Sequence, residues 1–316
     1  MPTENNVISD ILGKVIDEVS KSVVGKREEI ELMTATLVAG GHILVEGPPG
    51  AGKTFSCKSL AKAFGGSYRR IQGNPDVLPS DIMGFYVYTI GGERRFIRGP
   101  VFSNILQVDD VNRIPSRALS ALLQAMTEYS VSIEGDTYKI EKPFHVFATM
   151  IPSEIEVGTF KLPLGLIDRF WIYLNTNYVR GDVEAEIVNR ADELYETSTE
   201  KIRTILSPEE LRNIQDNLGE MVYSDKRIVN YIVNVVNNLR DHPDIIVGPS
   251  NRGSIYFYRL SKAYALIKGR DYVIPDDAKY LARYVLPHRV LVRPTSSKTP
   301  MEIIEEVLSN TPVPKE

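Results

Sequence analysis

Residues His42 to Thr54 read HILVEGPPGAGKT, an apolar run that breaks into a glycine-rich loop ending in lysine and threonine. The spacing G-x-x-x-x-G-K-T puts Gly47, Gly52, Lys53 and Thr54 at the fixed positions of a phosphate-binding loop. Glycines at 47, 50 and 52 allow the backbone to turn successive N–H groups toward phosphate oxygens. Lys53 would place its charge on the β- and γ-phosphates, and the Thr54 hydroxyl suits Mg²⁺. The helix that follows, FSCKSLAKAF, presents its positive end to the same anion. The whole segment Gly47, Pro48, Pro49, Gly50, Ala51, Gly52, Lys53 and Thr54 is therefore the candidate nucleotide cradle.

Outward from this loop, both flanks read as alternating helix and strand. Ile8, Leu12, Val15, Ile16 and Val19 recur at helical spacing, and a second helix stops at Gly40 and Gly41. Downstream, SYRRIQ reads as a strand, and the stretch to Asn104 carries hairpin punctuation at Gly91 and Gly92. Ile105, Leu106 and Val108 form a short apolar strand that ends in Asp109 and Asp110. In an open parallel sheet the carboxyl ends of strands bind ligands, so both acids are expected to face the phosphate loop. A helix opens at Pro115 and Ser116, a hairpin turns at Gly135 and Asp136, and FHVFATM supplies another strand. The pair Asp168–Arg169 before the apolar run FWIYL carries no functional meaning on spacing alone, since such pairs are usually weak surface contacts.

Past Asn175 the pattern turns helical, with capping boxes at Ser207–Glu210 and Thr299–Glu302. The reading is two domains, residues 1–178 as an α/β nucleotide-binding core and residues 179–316 as an all-α lid, within the length at which chains divide. Tyr256, Phe257 and Tyr258 face different sides of one helix, which suits core packing better than a base-stacking platform.

Composition narrows the partners. With 316 residues, 43% hydrophobic and 25% charged, the chain is an ordinary globular protein. A net charge of −4 offers no basic field, so nucleic acid is an unlikely partner and a DNA-remodelling role is disfavoured. The single cysteine, Cys57, agrees with a reducing compartment, and MPTENNVISD is too polar for a signal peptide, so a cytoplasmic protein with no membrane contact is expected.

The order of phosphate loop, acidic strand, D-R-F and a lid bearing GPSNRGS resembles the AAA+ ATPases, and within them the MoxR family. The most specific strings are RIQGNPDVLPSDIMG, RGPVFSNILQVDDVNRIPSRALSALLQAMTE, GTFKLPLGLIDRF and GRDYVIPDDAKYLARYVLPHRV. The resemblance implies a P-loop AAA+ core, with a five-stranded parallel sheet between helices, followed by the helical lid. It implies ATP and Mg²⁺ as cofactors, with Asp109 and Thr54 toward the metal and Asp110 toward the attacking water. Arg169 would be an arginine finger reaching a neighbour's γ-phosphate, and Arg252 a lid arginine sensing nucleotide in its own subunit. Val24 and Gly25 would hold the adenine, although Lys26 stands where glutamine is usual. Family activity is ATP-driven, chaperone-like remodelling or maturation of protein partners, by a homo-oligomer that is often a hexameric ring, with partners bearing von Willebrand factor A domains.

Three departures bear on rate. Asp110 replaces the usual glutamate, Ile151 replaces the asparagine that senses the γ-phosphate, and Leu164 and Leu166 replace polar neighbours of the D-R-F. These changes leave nucleotide binding intact and lead to an expectation of slow hydrolysis. A switch or scaffold that exchanges nucleotide and scarcely hydrolyses it is the alternative. Thr149, two residues before Ile151, is a doubtful substitute for the missing asparagine because it lies about 6.5 Å back along the strand.

Overall fold

A computed structural model of the chain describes residues 4–152, 158–192, 194 and 199–314. The phosphate loop leaves the carboxyl end of β1 (Ile43–Glu46), which lies inside a five-stranded parallel sheet. Its other strands are β2 (Tyr68–Gln72), β5 (Ile105–Asp109), β8 (His145–Met150) and β9 (Ile172–Asn175), in the order β2-β5-β8-β1-β9. Both faces of this sheet are covered, so the central strands β1, β5 and β8 are buried along nearly their whole length rather than on alternate residues. Alternate residues of β1 point to opposite layers. Ile43 and Val45 join the core under α1 (Glu4–Ser20), α2 (Arg27–Ala39) and α3 (Lys53–Ala63), while Leu44 joins the core under α4 (Pro79–Met83) and α5 (Ser116–Glu128).

Two hairpins project from this core. The first pairs β3 (Gly84–Tyr88) with β4 (Arg94–Arg98), and the second pairs β6 (Ser130–Ile133) with β7 (Asp136–Lys139). The second turns at Glu134 and Gly135, whose φ angles of 50° and 90° are both left-handed, as a two-residue primed turn requires. That is one residue earlier than the sequence reading, because Asp136 already pairs with Ile133 in the return strand. The hairpins lean on each other, with Phe96 stacked on Tyr138 at 4.2 Å between ring centroids.

After α6 (Leu164–Ile167), β9 and α7 (Asp182–Asn189), the second part of the chain is helical. Its helices are α8 (Pro208–Met221), α9 (Lys226–Arg240), α10 (Asn251–Ile267), α11 (Pro275–Val285) and α12 (Pro300–Asn310). Ser207 and Thr299 both accept from the N–H three residues on, and Glu210 and Glu302 return the bond, so both capping boxes form as read. A short antiparallel pair, Ile245–Val247 with Leu291–Val292, adds the lid's small sheet. The lid docks on α2. Gln215 Nε2 donates to the Leu37 carbonyl at 2.6 Å, and Arg259 Nε donates to the Ala39 carbonyl at 2.6 Å. These bonds reach the carbonyls of the last turn of a buried helix, where Leu37 also accepts from the Gly40 N–H at 2.9 Å. Phe257 is fully buried and Tyr256 stacks on Trp171 at 4.2 Å, so this aromatic run is packing.

Where core and lid meet, His42 and His145 are both buried and fully bonded as neutral rings. His42 Nδ1 accepts from Val146 N at 3.0 Å, while His145 Nδ1 donates to the Gly41 carbonyl at 2.7 Å and its Nε2 accepts from Gln215 at 3.1 Å. Burial depresses their pKa values to about 3 for His42 and about 4 for His145. The unfolded chain takes up these protons near pH 6.5 and the folded chain does not, so stability must fall as pH drops from about 6.5 toward those values. Between pH 6 and pH 5 the two rings together should cost about 2 kcal/mol, read as a lower urea midpoint. A midpoint that holds constant over that interval would show that both rings accept their protons in the folded state.

Candidate nucleotide site

The loop after β1 is shaped by its glycines. Gly50 and Gly52 both sit at φ +81°, a left-handed conformation that other residues reach only with strain. Lys53 begins α3 and turns its ammonium back onto the Pro48 carbonyl at 2.9 Å and the Gly47 carbonyl at 2.5 Å. Burial pushes this lysine below its ordinary pKa, and the charges of Asp110 and Asp109 pull it back up.

Opposite the loop, β5 delivers Asp109 and Asp110 where the sequence placed them. Thr54 Oγ1 lies 3.2 and 3.3 Å from the two Asp109 oxygens, so the hydroxyl and the carboxylate converge on one point. Hard oxygens of this kind suit Mg²⁺, which takes one or two protein ligands and fills the rest with water and phosphate. Among the described residues no group of three or more histidine, cysteine or acidic side chains could hold a metal. Asp110 takes a left-handed turn at φ 50°, and its Oδ2 accepts from Gln72 Nε2 at 2.9 Å.

Strand β2 contributes most of what the sequence reading missed. Arg70 Nε donates to Asp109 Oδ2 at 2.6 Å, and Arg70 Nη2 donates to Gln72 Oε1 at 2.7 Å. Gln107 Nε2 adds a further bond to Asp109 Oδ1 at 2.7 Å. The approach of β2 depends on Gly73, because a Cβ there would sit 2.2 Å from the Asp110 carbonyl oxygen. The alternation in Arg70-Ile71-Gln72, two polar side chains around an apolar one, is the signal that places both on one face.

At the end of β8, Thr149 is already engaged. Its hydroxyl donates to Asp109 Oδ1 at 3.1 Å and accepts from the Asp110 N–H at 3.1 Å. Ile151 is buried and lines an apolar groove with Met150, Phe160 and Leu162, so its side chain brings no polar group to the site.

Beside the loop lies a cleft of about 450 Å³, lined by Val23, Val24, Gly52, Phe55, Tyr178 and Val188. Its apolar walls suit a flat aromatic base. Val24 lines it directly, and Gly25, at φ +77°, turns the chain there. Lys26 is buried and tied to the segment that follows β9, bonding the Thr176 hydroxyl and the Asn177 carbonyl at 3.2 Å, and to Glu29 of α2 at 3.2 Å.

The two arginines lie elsewhere. Trp171 N donates to the His42 carbonyl at 2.8 Å, so Asp168 and Arg169, just before it, sit at the amino end of β1. The phosphate loop leaves the other end, about 13 Å away at ordinary strand rise. Arg169 Nε donates to Thr127 Oγ1 at 2.7 Å. Arg252 Nη1 donates to Asp168 Oδ2 at 2.8 Å, beside Arg289 Nε at 3.3 Å from Asp168 Oδ1. Arg252 thus lies away from the phosphate loop of its own chain, where the sequence reading expects it to sense nucleotide. The lid packs its arginine onto the D-R-F segment, at the end of the sheet remote from its own phosphates.

Comparison with known proteins agrees with this architecture. Residues 42–172 match the ATPase family associated with various cellular activities (AAA), and residues 237–307 match the AAA lid domain. The chain is 38% identical to the uncharacterized protein YeaC of Bacillus subtilis, over 96% of this chain and 95% of that one. It is 35% identical to chaperone MoxR1 of Mycobacterium tuberculosis, over 95% of this chain and 80% of that one. A crystal structure from Cytophaga hutchinsonii, described as a candidate ATPase, superposes with a TM-score of 0.89 at 34% identity, covering 99% of this chain and 98% of that one. With a five-stranded core, a docked helical lid and relatives of this identity along nearly its whole length, the chain belongs to the MoxR family of AAA+ ATPases.

Proposed function

We propose that this protein binds Mg-ATP between the phosphate loop and β5, hydrolyses it slowly, and uses the change to remodel or mature protein partners. The observation that carries the reading is the convergence of Thr54 and Asp109, at 3.2 Å, across the loop that holds Lys53. Bound Mg²⁺ would offset phosphate charge, with Thr54 and Asp109 as its protein ligands. Lys53 binds phosphate, Val24 and Gly25 flank the base, and Asp110 orients the attacking water. The nucleotide-binding unit is residues 1–178 and the lid residues 179–316.

Arg169 and Arg252 cannot serve their own site across the length of β1, so they act on a neighbour's in a homo-oligomeric ring, taken as hexameric. Leu164, half exposed beside the D-R-F segment, suits such a subunit contact. Partners with von Willebrand factor A domains, as the family resemblance implies, and a cytoplasmic location complete the proposal. No helix among the described residues is long and apolar enough to cross a membrane.

Slow hydrolysis follows from Asp110, whose carboxylate stops one methylene short of a glutamate's. Misplacement by about 1 Å can cost on the order of 10²-fold in rate. Phosphate release by the unmodified protein is therefore expected to be slow, and Asp110→Glu should speed it at least about tenfold with little change in ATP affinity. Brisk release by the unmodified chain, with no gain from Asp110→Glu, would mean that another group positions the water. Should the Asp110→Glu protein also hydrolyse scarcely at all, the reading of a nucleotide-exchanging switch takes precedence, favoured by the apolar surroundings of Ile151.

A further inference from the structure

Asp109 is 3% exposed, yet its strongest partner comes from an edge strand that is open to solvent. Arg70 reaches in from β2 with Nε 2.6 Å from Asp109 Oδ2, while its own side chain remains 49% exposed. The same guanidinium bonds Gln72 Oε1 at 2.7 Å, and Gln72 Nε2 holds Asp110 Oδ2 at 2.9 Å. A continuous chain thus runs Asp109, Arg70, Gln72, Asp110. It joins the carboxylate that would hold the metal to the one that would orient water.

Resting on the reading of this cleft as an Mg-ATP site, we propose that Arg70 is a built-in counter-cation of Asp109 that must withdraw before the metal site loads. The other three donors to Asp109 are the neutral groups of Thr54, Gln107 and Thr149. Arg70 alone among these four brings positive charge, and its bond occupies Asp109 Oδ2. The Arg70 side chain is 49% exposed, which leaves the guanidinium a path into solvent. Its departure also removes one of the bonds that hold the Gln72 amide. Loading and the freeing of Asp110 are in this way coupled through Gln72, so Arg70 is a positioning residue that sets the Mg²⁺ concentration at which the site becomes competent.

The test is binding of a fluorescent ATP analogue at fixed concentration, titrated with Mg²⁺ and repeated in EDTA, for the unmodified protein, Arg70→Ala and Arg70→Gln. Both variants should reach half-saturation at about two- to fivefold lower Mg²⁺, the scale of a half-exposed ion pair, with binding in EDTA unchanged. Thermal unfolding with Mg²⁺ alone should show a larger stabilisation of the variants, which leave Asp109 without its cation. An unmoved Mg²⁺ midpoint, with the analogue bound normally, overturns the role of Arg70 and leaves the ATP site standing. A higher midpoint, or weaker binding in EDTA, also overturns it, since Arg70 would then be a phosphate ligand. If the unmodified protein binds no analogue in either condition, the ATP reading falls and the proposal falls with it.

Discussion

Replacing Arg169 with alanine should lower ATP turnover by roughly 10³- to 10⁵-fold, the range over which arginine fingers operate, and leave ATP affinity nearly unchanged. The expectation rests on position. Arg169 precedes β9 at the amino end of the sheet, where its Nε bonds Thr127 at 2.7 Å, and its own phosphate loop lies at the other end of β1. Within one subunit it stabilises no transition-state charge, so its contribution arises only where subunits meet. Mixing Arg169→Ala with Lys53→Ala protein should restore part of the activity, because some junctions then join an intact phosphate loop to an intact arginine. Failure of every mixture to recover activity would contradict a shared site. The same experiment with Arg252→Ala should behave alike, since Asp168 holds Arg252 beside Arg169.

The second large effect belongs to Lys53. Its ammonium lies on the carbonyls of Gly47 and Pro48, where burial disfavours the charge. A phosphate would supply the missing counter-charge, and hydrogen bonds between charged groups contribute about 1.5–3 kcal/mol each. Lys53→Ala should therefore weaken ATP binding roughly ten- to a hundredfold while sparing the fold, because the change removes a partly buried cation. At ATP near 100 times the unmodified dissociation constant, the native protein gains about 2.7 kcal/mol of stability by linkage. The variant should gain only about 0.4–1.4 kcal/mol, so its thermal midpoint should respond to Mg-ATP at most about half as much. An equal response in both proteins would show that this lysine does not touch phosphate.

What was legible in the sequence is what local chemistry dictates. The glycine spacing fixed Lys53 and Thr54, the apolar strand ending in two acids fixed Asp109 and Asp110, and the capping boxes at Ser207 and Thr299 marked helices that form there. What was not legible depends on pairing across the fold. Arg70 and Gln72 meet the acids only because β2 lies beside β5 in parallel register, with Gln72 opposite Asp109. The alternation of the strand announces a polar face and gives no hint of which strand it will face. The place of Arg252 was not legible for the same reason. Its helix start is evident from Ser250, whose hydroxyl caps Gly253, but the docking of that helix against Trp171 and Asp168 is a tertiary choice. The turn at Glu134 and Gly135 shifted by one residue because a non-glycine there adopts φ 50°, which composition alone does not favour.

The central claim is that one nucleotide binds per chain in the cleft closed by Lys53, Thr54 and Asp109. Calorimetric titration of the purified protein with ATP in the presence of Mg²⁺, with Lys53→Ala measured alongside, tests it most directly. The expected result is saturation at one ATP per chain for the unmodified protein and at least about tenfold weaker binding for the variant. No binding by the unmodified protein, or the same affinity in both, would contradict it.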